Sequence, residues 1–257
     1  MSDYVLFNPE PYSPSTIVEL PTLGFQKPTD SLDIPPAEPD TIWYLAIIKP
    51  HVDSHEIIGP VKSFKRLLPK IQEIASNSPR AIDKLDELVE IEDMWGEREK
   101  NWEFERNGFE RFIVEGQRGA YTVLKAIREI NKEVFETLPA PVYTVVSKGP
   151  LEHGEQASAK DNRYTKPKGC AETTTVHGSW LDSASAVGAA RGVMKDLLAG
   201  ETHVRKTETW EKDGKGSGIL LAMSGTFLWE VKVIYDDQVV KRAMDEAGRV
   251  GDGKVKR

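Results

Sequence analysis

The chain has 257 residues, 39% of them apolar and 29% charged, with a net charge of -7. That composition supports a buried core and excludes a wholly disordered chain. No stretch of about 18 apolar residues is present to span a bilayer, and the single cysteine, Cys170, excludes an intrachain disulfide or an all-cysteine zinc site.

The first 41 residues hold eight of the 16 prolines and seven acids against one base, Lys27, a net of -6. Proline removes amide donors and fixes φ, so this stretch is expected to be neither helix nor central strand. Residues 1–40 read as an acidic, flexible arm, with no secretory leader at Met1–Tyr4. Val5–Phe7 and Ile17–Leu20 are its apolar spots.

Thr41–Ile48 is a short apolar run rich in β-branched and aromatic residues, and reads as a buried strand. Gly59-Pro60 is expected to open a helix whose apolar face is Val61, Phe64, Leu67, Leu68, Ile71 and Ile74, split near Leu68 by Pro69. Ser78-Pro79 signals a second helix start. In the charged segment 91–109, Trp95, Trp102 and Phe109 are seven apart and fall on one narrow stripe of a predicted helix. Gln117 to Leu138 predicts a long helix stopped by Pro139. Val142–Val146 and Thr173–Val176 read as strands around a polar loop. Asp182 or Ser183 caps a helix that ends near Gly200. Residues 202 to 235 then form an antiparallel meander, with a last helix from Gln238 to Ala247 and a basic tail over 249–257.

The expected fold is α+β: a mixed or mainly antiparallel sheet, helices mostly on one face, and a C-terminal meander. One domain spans 41–248, with sub-lobes at 41–138 and 139–248. Trp43–Lys49 and Val142–Lys148 echo each other at an offset of 99, sharing Tyr and Lys, which is too little to define a repeat.

Four constellations invite chemistry. His51, Asp53 and His55 share a face if extended, with Glu56 near, but a metal site needs further ligands and none is expected. Cys170 and His177 are an odd seven apart, which places them on opposite faces of a strand and argues against a thiol–imidazole pair. His153 and His203 are not selected by any spacing. Gly214, Gly216 and Gly218 lie before a strand, where a dinucleotide loop needs a helix. The basic loop Lys160, Arg163, Tyr164, Lys166 and Lys168, with Arg205 and Lys206 nearby in the meander, suggests an RNA or single-strand surface.

The favoured reading is a non-catalytic binding or assembly protein of the cytoplasm or nucleus, without a cofactor. It meets a protein partner or a second copy through Trp95, Trp102 and Phe109, because exposed aromatics concentrate at interface centres. The alternatives are an enzyme with a small-molecule pocket between sheet and helices, recognisable by a perturbed histidine or carboxylate in that pocket, and the nucleic-acid binder.

Overall fold

The computed structural model describes residues 28–92, 98–152, 167–211 and 216–239. Its elements, in chain order, are β1 (Thr41–Lys49), β2 (Ser54–Val61), α1 (Leu68–Ala75), α2 (Pro79–Val89), β3 (Glu90–Glu92), β4 (Arg98–Lys100), α3 (Trp102–Asn107), β5 (Arg111–Glu115), β6 (Tyr121–Ile130) and α4 (Lys132–Thr137). They continue with β7 (Pro141–Glu152), α5 (Cys170–Thr173), β8 (Thr175–Trp180), α6 (Ser183–Leu197), β9 (Arg205–Trp210), β10 (Gly218–Met223) and β11 (Phe227–Asp237). The class is α+β as expected, with antiparallel sheets and a β9–β10–β11 meander. Among the described residues no helix is long and apolar enough to cross a membrane.

Two sheets carry the fold. The first has the order β2-β1-β6-β5, the second β8-β7-β11-β10-β9, and all their pairings are antiparallel. The first four positions correspond, so each half follows the same path: a hairpin, a helical crossover, and a second hairpin beside the first strand. The 99-residue echo sits on corresponding strands, yet its shared tyrosines do not correspond. Tyr44 lies in the apolar layer containing Val142 and Val176 of the second sheet, whereas Tyr143 packs in the cluster of α6. A one-residue slip turns every side chain to the other face.

Each sheet is covered on its outer face. Trp43, Leu45 and Ile47 of β1 pack with Phe64, Leu67 and Ile71 under α1 and α2. Val145, Val231 and Val233 pack with Ala186, Ala190 and Met194 of α6, whose small residues let the helix lie close. The inner faces meet at Ile42, Tyr44 and Val142, with Val134 and Leu138 of the α4 region alongside.

Several elements follow their signals. Pro69 lies in the first turn of α1, after a 3-10 turn at Phe64–Leu67. Asp182 caps α6, its carboxylate accepting from Ser185 N at 2.7 Å. Ser78 precedes α2 without a side-chain capping bond.

Other expectations are overturned. Gly59-Pro60 does not open a helix but lies in β2, where the chain crosses a bulge opposite Trp43 and Leu45. A Cβ on Gly59 would sit 2.6 Å from the Trp43 carbonyl oxygen, at a φ of +121°, so only glycine suits the position. The predicted helix over 117–138 is β6 followed by the short α4. β6 runs between β1 and β5, with Val123, Leu124 and Ala126 buried on its two faces. A strand buried on both sides loses its alternation, and its apolar residues then mimic helical spacing. Asn131 caps α4 by accepting from Val134 N at 3.2 Å.

The acidic arm is not wholly free of the body. Ser31 bridges to Arg111, Leu32 and Ala37 pack on the first core, and Arg128 donates to the Pro35 carbonyl at 2.8 Å. Asp30 accepts from Ile113 N at 2.6 Å and from Lys84 Nζ at 2.7 Å. These contacts dock residues 30–37 on the body; residues 1–27 lie outside the described residues, as do 240–257. Asp30→Ala is expected to cost about 1–3 kcal/mol, because it strips the Ile113 amide of its acceptor and leaves Lys84 only the Ile113 carbonyl. Urea unfolding of the full chain measures it, and an unchanged midpoint would show that the segment contributes nothing.

Candidate functional site: a cavity between the sheets

A cavity of about 600 Å³ lies against the inner face of the first sheet. Ala46 and Ile48 of β1, His55 of β2 and Ile127 of β6 form one wall; Ala171 of α5 and Val176 of β8 form another. Ile34 and Pro35 of the docked arm and Phe109 add to the apolar lining, with Lys125, Arg128, Glu110 and Glu172 as charged groups. The size and the mixed lining, apolar with several polar and charged groups, suit a small organic ligand that carries a polar group.

His55 is brought to the cavity by antiparallel pairing with Ile48. Its Nδ1 lies 3.3 Å from the Ala171 carbonyl oxygen. A carbonyl oxygen only accepts, so Nδ1 carries the proton and neutral His55 keeps a lone pair on Nε2. That Nε2 is shielded from solvent and meets no hydrogen-bond partner among the described residues. Burial holds His55 below the ordinary histidine range; the bond to Ala171 opposes this, while Lys148 and Lys125 push it further down. His55 is therefore a neutral base at pH 7. Lys148 pairs with Glu230 at 3.4 Å, whereas Lys125 is exposed and has no ion-pair or hydrogen-bond partner among the described residues.

Ala171 is held in turn by Asp53. Its carboxylate accepts from Gly169 N at 2.9 Å and Ala171 N at 2.8 Å. Asp53 itself takes a left-handed backbone, with φ 47°, in the turn between β1 and β2.

The structure separates what the spacing of the histidine cluster suggested. His51 is exposed and lies in the 3-10 turn Pro50–Val52, Asp53 binds backbone amides, and only His55 reaches the cavity. Among the described residues no three metal-ligating side chains gather. Cys170 Sγ lies 3.6 Å from Thr174 Oγ1, while His177 Nε2 lies 2.7 Å from Ser147 Oγ, so each has a partner other than the other. Burial lowers the His177 pKa.

The aromatic stripe does not form one helix. The segment is the β3–β4 pairing followed by the six-residue α3. Trp102, at the start of α3, is 68% exposed, whereas Phe109 is fully buried, which corrects the expectation that both rings share one outward face. Trp95 lies outside the described residues, as do Lys160, Arg163, Tyr164 and Lys166 of the basic loop. Lys168 pairs its backbone with Glu152. Arg205 and Lys206 are exposed on β9. Gly214 also lies outside; Gly216 and Gly218 lead into β10.

In the sequence His55 stands beside His51 and Asp53, a spacing that points to metal ligands and not to a lone base. Alternation from the partly buried Ile57 is the signal that His55 faces inward. Compared with known protein families, curated proteins and solved structures, the chain matches none.

Proposed function

We propose that the chain is an acid–base enzyme acting on a small, largely apolar organic molecule held in the inter-sheet cavity, with His55 as general base. The observation that carries this reading is a neutral, oriented imidazole in the lining of a cavity of ligand size, its Nε2 without a protein partner and covered, so that a ligand reaches it by displacing the side chains over it. Buried polar atoms are normally paired, and perturbed titrating groups cluster at functional sites. In the reaction, a C–H bond next to a substrate carbonyl breaks, its proton passes to Nε2, and the electron pair moves onto the carbonyl oxygen as an enolate. Lys125 supplies positive charge on the same wall for that oxygen. The imidazolium returns the proton to close the cycle.

The test is deuterium uptake into phenylpyruvate and acetoacetate in heavy water, followed by proton NMR. The expected result is uptake faster than in buffer, with an acid limb centred below pH 6.5. His55→Gln is expected to lower that rate at least about 100-fold while leaving the far-ultraviolet spectrum unchanged. Equal uptake by the variant, or none above buffer for the native chain, would overturn the assignment.

A second reading keeps one observation. Trp102 is exposed with Lys65 Nζ 5.3 Å from its ring centre, and a solvent-facing tryptophan supports docking of a protein partner through α3.

A further inference from the structure

We propose that Asp53 is a positioning residue for His55, fixing which ring nitrogen is free by holding the α5 backbone that the imidazole hydrogen-bonds. The proposal rests on the assignment of His55 as the working group of the cavity. The chain of contacts is short and complete. Asp53 grips Gly169 N and Ala171 N with its two carboxylate oxygens, and the Ala171 carbonyl oxygen meets His55 Nδ1.

Asp53 and His55 are two residues apart on the same hairpin, yet they meet α5 at opposite ends of one residue. Asp53 takes the amide of Ala171 and His55 takes its carbonyl. A residue 116 positions later in the chain is thereby pinned against the imidazole from both sides. The carboxylate is a strong acceptor for amides, with charge-assisted bonds roughly twice the strength of neutral ones. α5 spans only four residues, too few to hold its place by helical hydrogen bonding alone. Its placement therefore depends on Asp53, together with the Thr173 hydroxyl that accepts from Gly149 N at 3.0 Å.

The consequence is chemical. With Ala171 O in place, the Nδ1–H form is selected and Nε2 is the acceptor. Without it, the ring is free to place its proton on Nε2, which then cannot accept one from a ligand. The charged groups that act on the ring or share its cavity, Lys125 of β6, Lys148 of β7 (itself paired with Glu230) and Glu172 of α5, make no hydrogen bond with His55 among the described residues. They set its field and leave the tautomer to Ala171.

The experiment is nitrogen-15 NMR of the histidine rings in the full-length native chain and in Asp53→Asn, above pH 7.5. The native His55 is expected to show one neutral form with a protonated Nδ1. Asp53→Asn is expected to shift a substantial fraction to the Nε2–H form and to lower the deuterium-uptake kcat about tenfold with KM changed less than twofold. His177, bonded to Ser147, serves as the unaffected control. If Asp53→Asn does not fold, Asp53→Glu, which keeps the charge and shifts the oxygens by one methylene, is read in the same way. An unchanged His55 spectrum in a folded variant overturns the proposal. A native spectrum with Nε2 protonated overturns both the proposal and the base assignment, whereas a shifted tautomer without any uptake activity retains the positioning role and refutes only the reaction.

Discussion

Phe109→Ala is expected to cost about 3–5 kcal/mol of folding stability, the usual range for emptying a buried phenylalanine site. Phe109 has no solvent exposure. It packs edge-on to Phe64 at 5.2 Å and stacked on Phe112 at 5.5 Å, and Phe64 in turn packs edge-on to Trp43 and Phe104. The cavity left behind is ringed by other rigid rings, which collapse poorly. Trp102→Ala, seven residues earlier, is expected to change stability by less than about 0.5 kcal/mol, because the indole is mostly exposed. Urea unfolding of the two variants decides the matter, and equal losses would refute the division of the stripe into core and surface. If α3 docks a partner, Trp102→Ala is instead expected to weaken association by about 2 kcal/mol, read by sedimentation of the native chain and variant.

The difference between the two rings shows where the sequence was legible. Spacing by seven placed Trp102 and Phe109 on one stripe only while the backbone was taken as a continuous helix. Gly108 ends α3 with φ 64°, and a Cβ there would lie 2.5 Å from the Phe64 ring. The chain turns at that glycine and Phe109 enters the core. Glycine before a ring was the signal, and the charge density of the segment masked it. α6 and the meander were legible because capping, small-residue packing and alternation agreed. β6 was not, because it is buried on both faces and its longer pairing is with β1, some 80 residues earlier in the chain. The histidine of the cavity was visible as a residue, but its meaning depends on Ala171, brought to it by a hairpin turn and a four-residue helix that no local pattern announces.

Tyr44→Phe is expected to cost about 1–3 kcal/mol and to weaken the seam between the two sheets without opening the outer cores. The Tyr44 hydroxyl donates to Glu129 Oε2 at 2.5 Å and lies 2.8 Å from Ser179 Oγ of β8. Glu129 Oε1 also accepts from Asn131 Nδ2 at 2.8 Å, Asn131 Nδ2 donates to the Ser179 carbonyl at 2.9 Å, and Thr144 reaches Ser179 Oγ at 2.8 Å. The network crosses from the first sheet to the second through contacts between residues 48 to 135 apart. Removing one hydroxyl leaves Glu129 its Asn131 bond, which keeps the cost below that of a stripped buried charge. The pH dependence gives a second handle. Burial, then the Glu129 charge, pushes the Tyr44 phenol well above the ordinary tyrosine range. Its contribution is fully present below the unfolded-state value of about 10, and is lost as pH rises beyond it, because the unfolded chain releases a proton that the folded chain retains. Native stability is therefore expected to fall on the alkaline side of pH 10 more steeply than that of Tyr44→Phe, so the gap between the two narrows there. Parallel stability–pH curves for the two proteins would place the buried charge of the seam on another group.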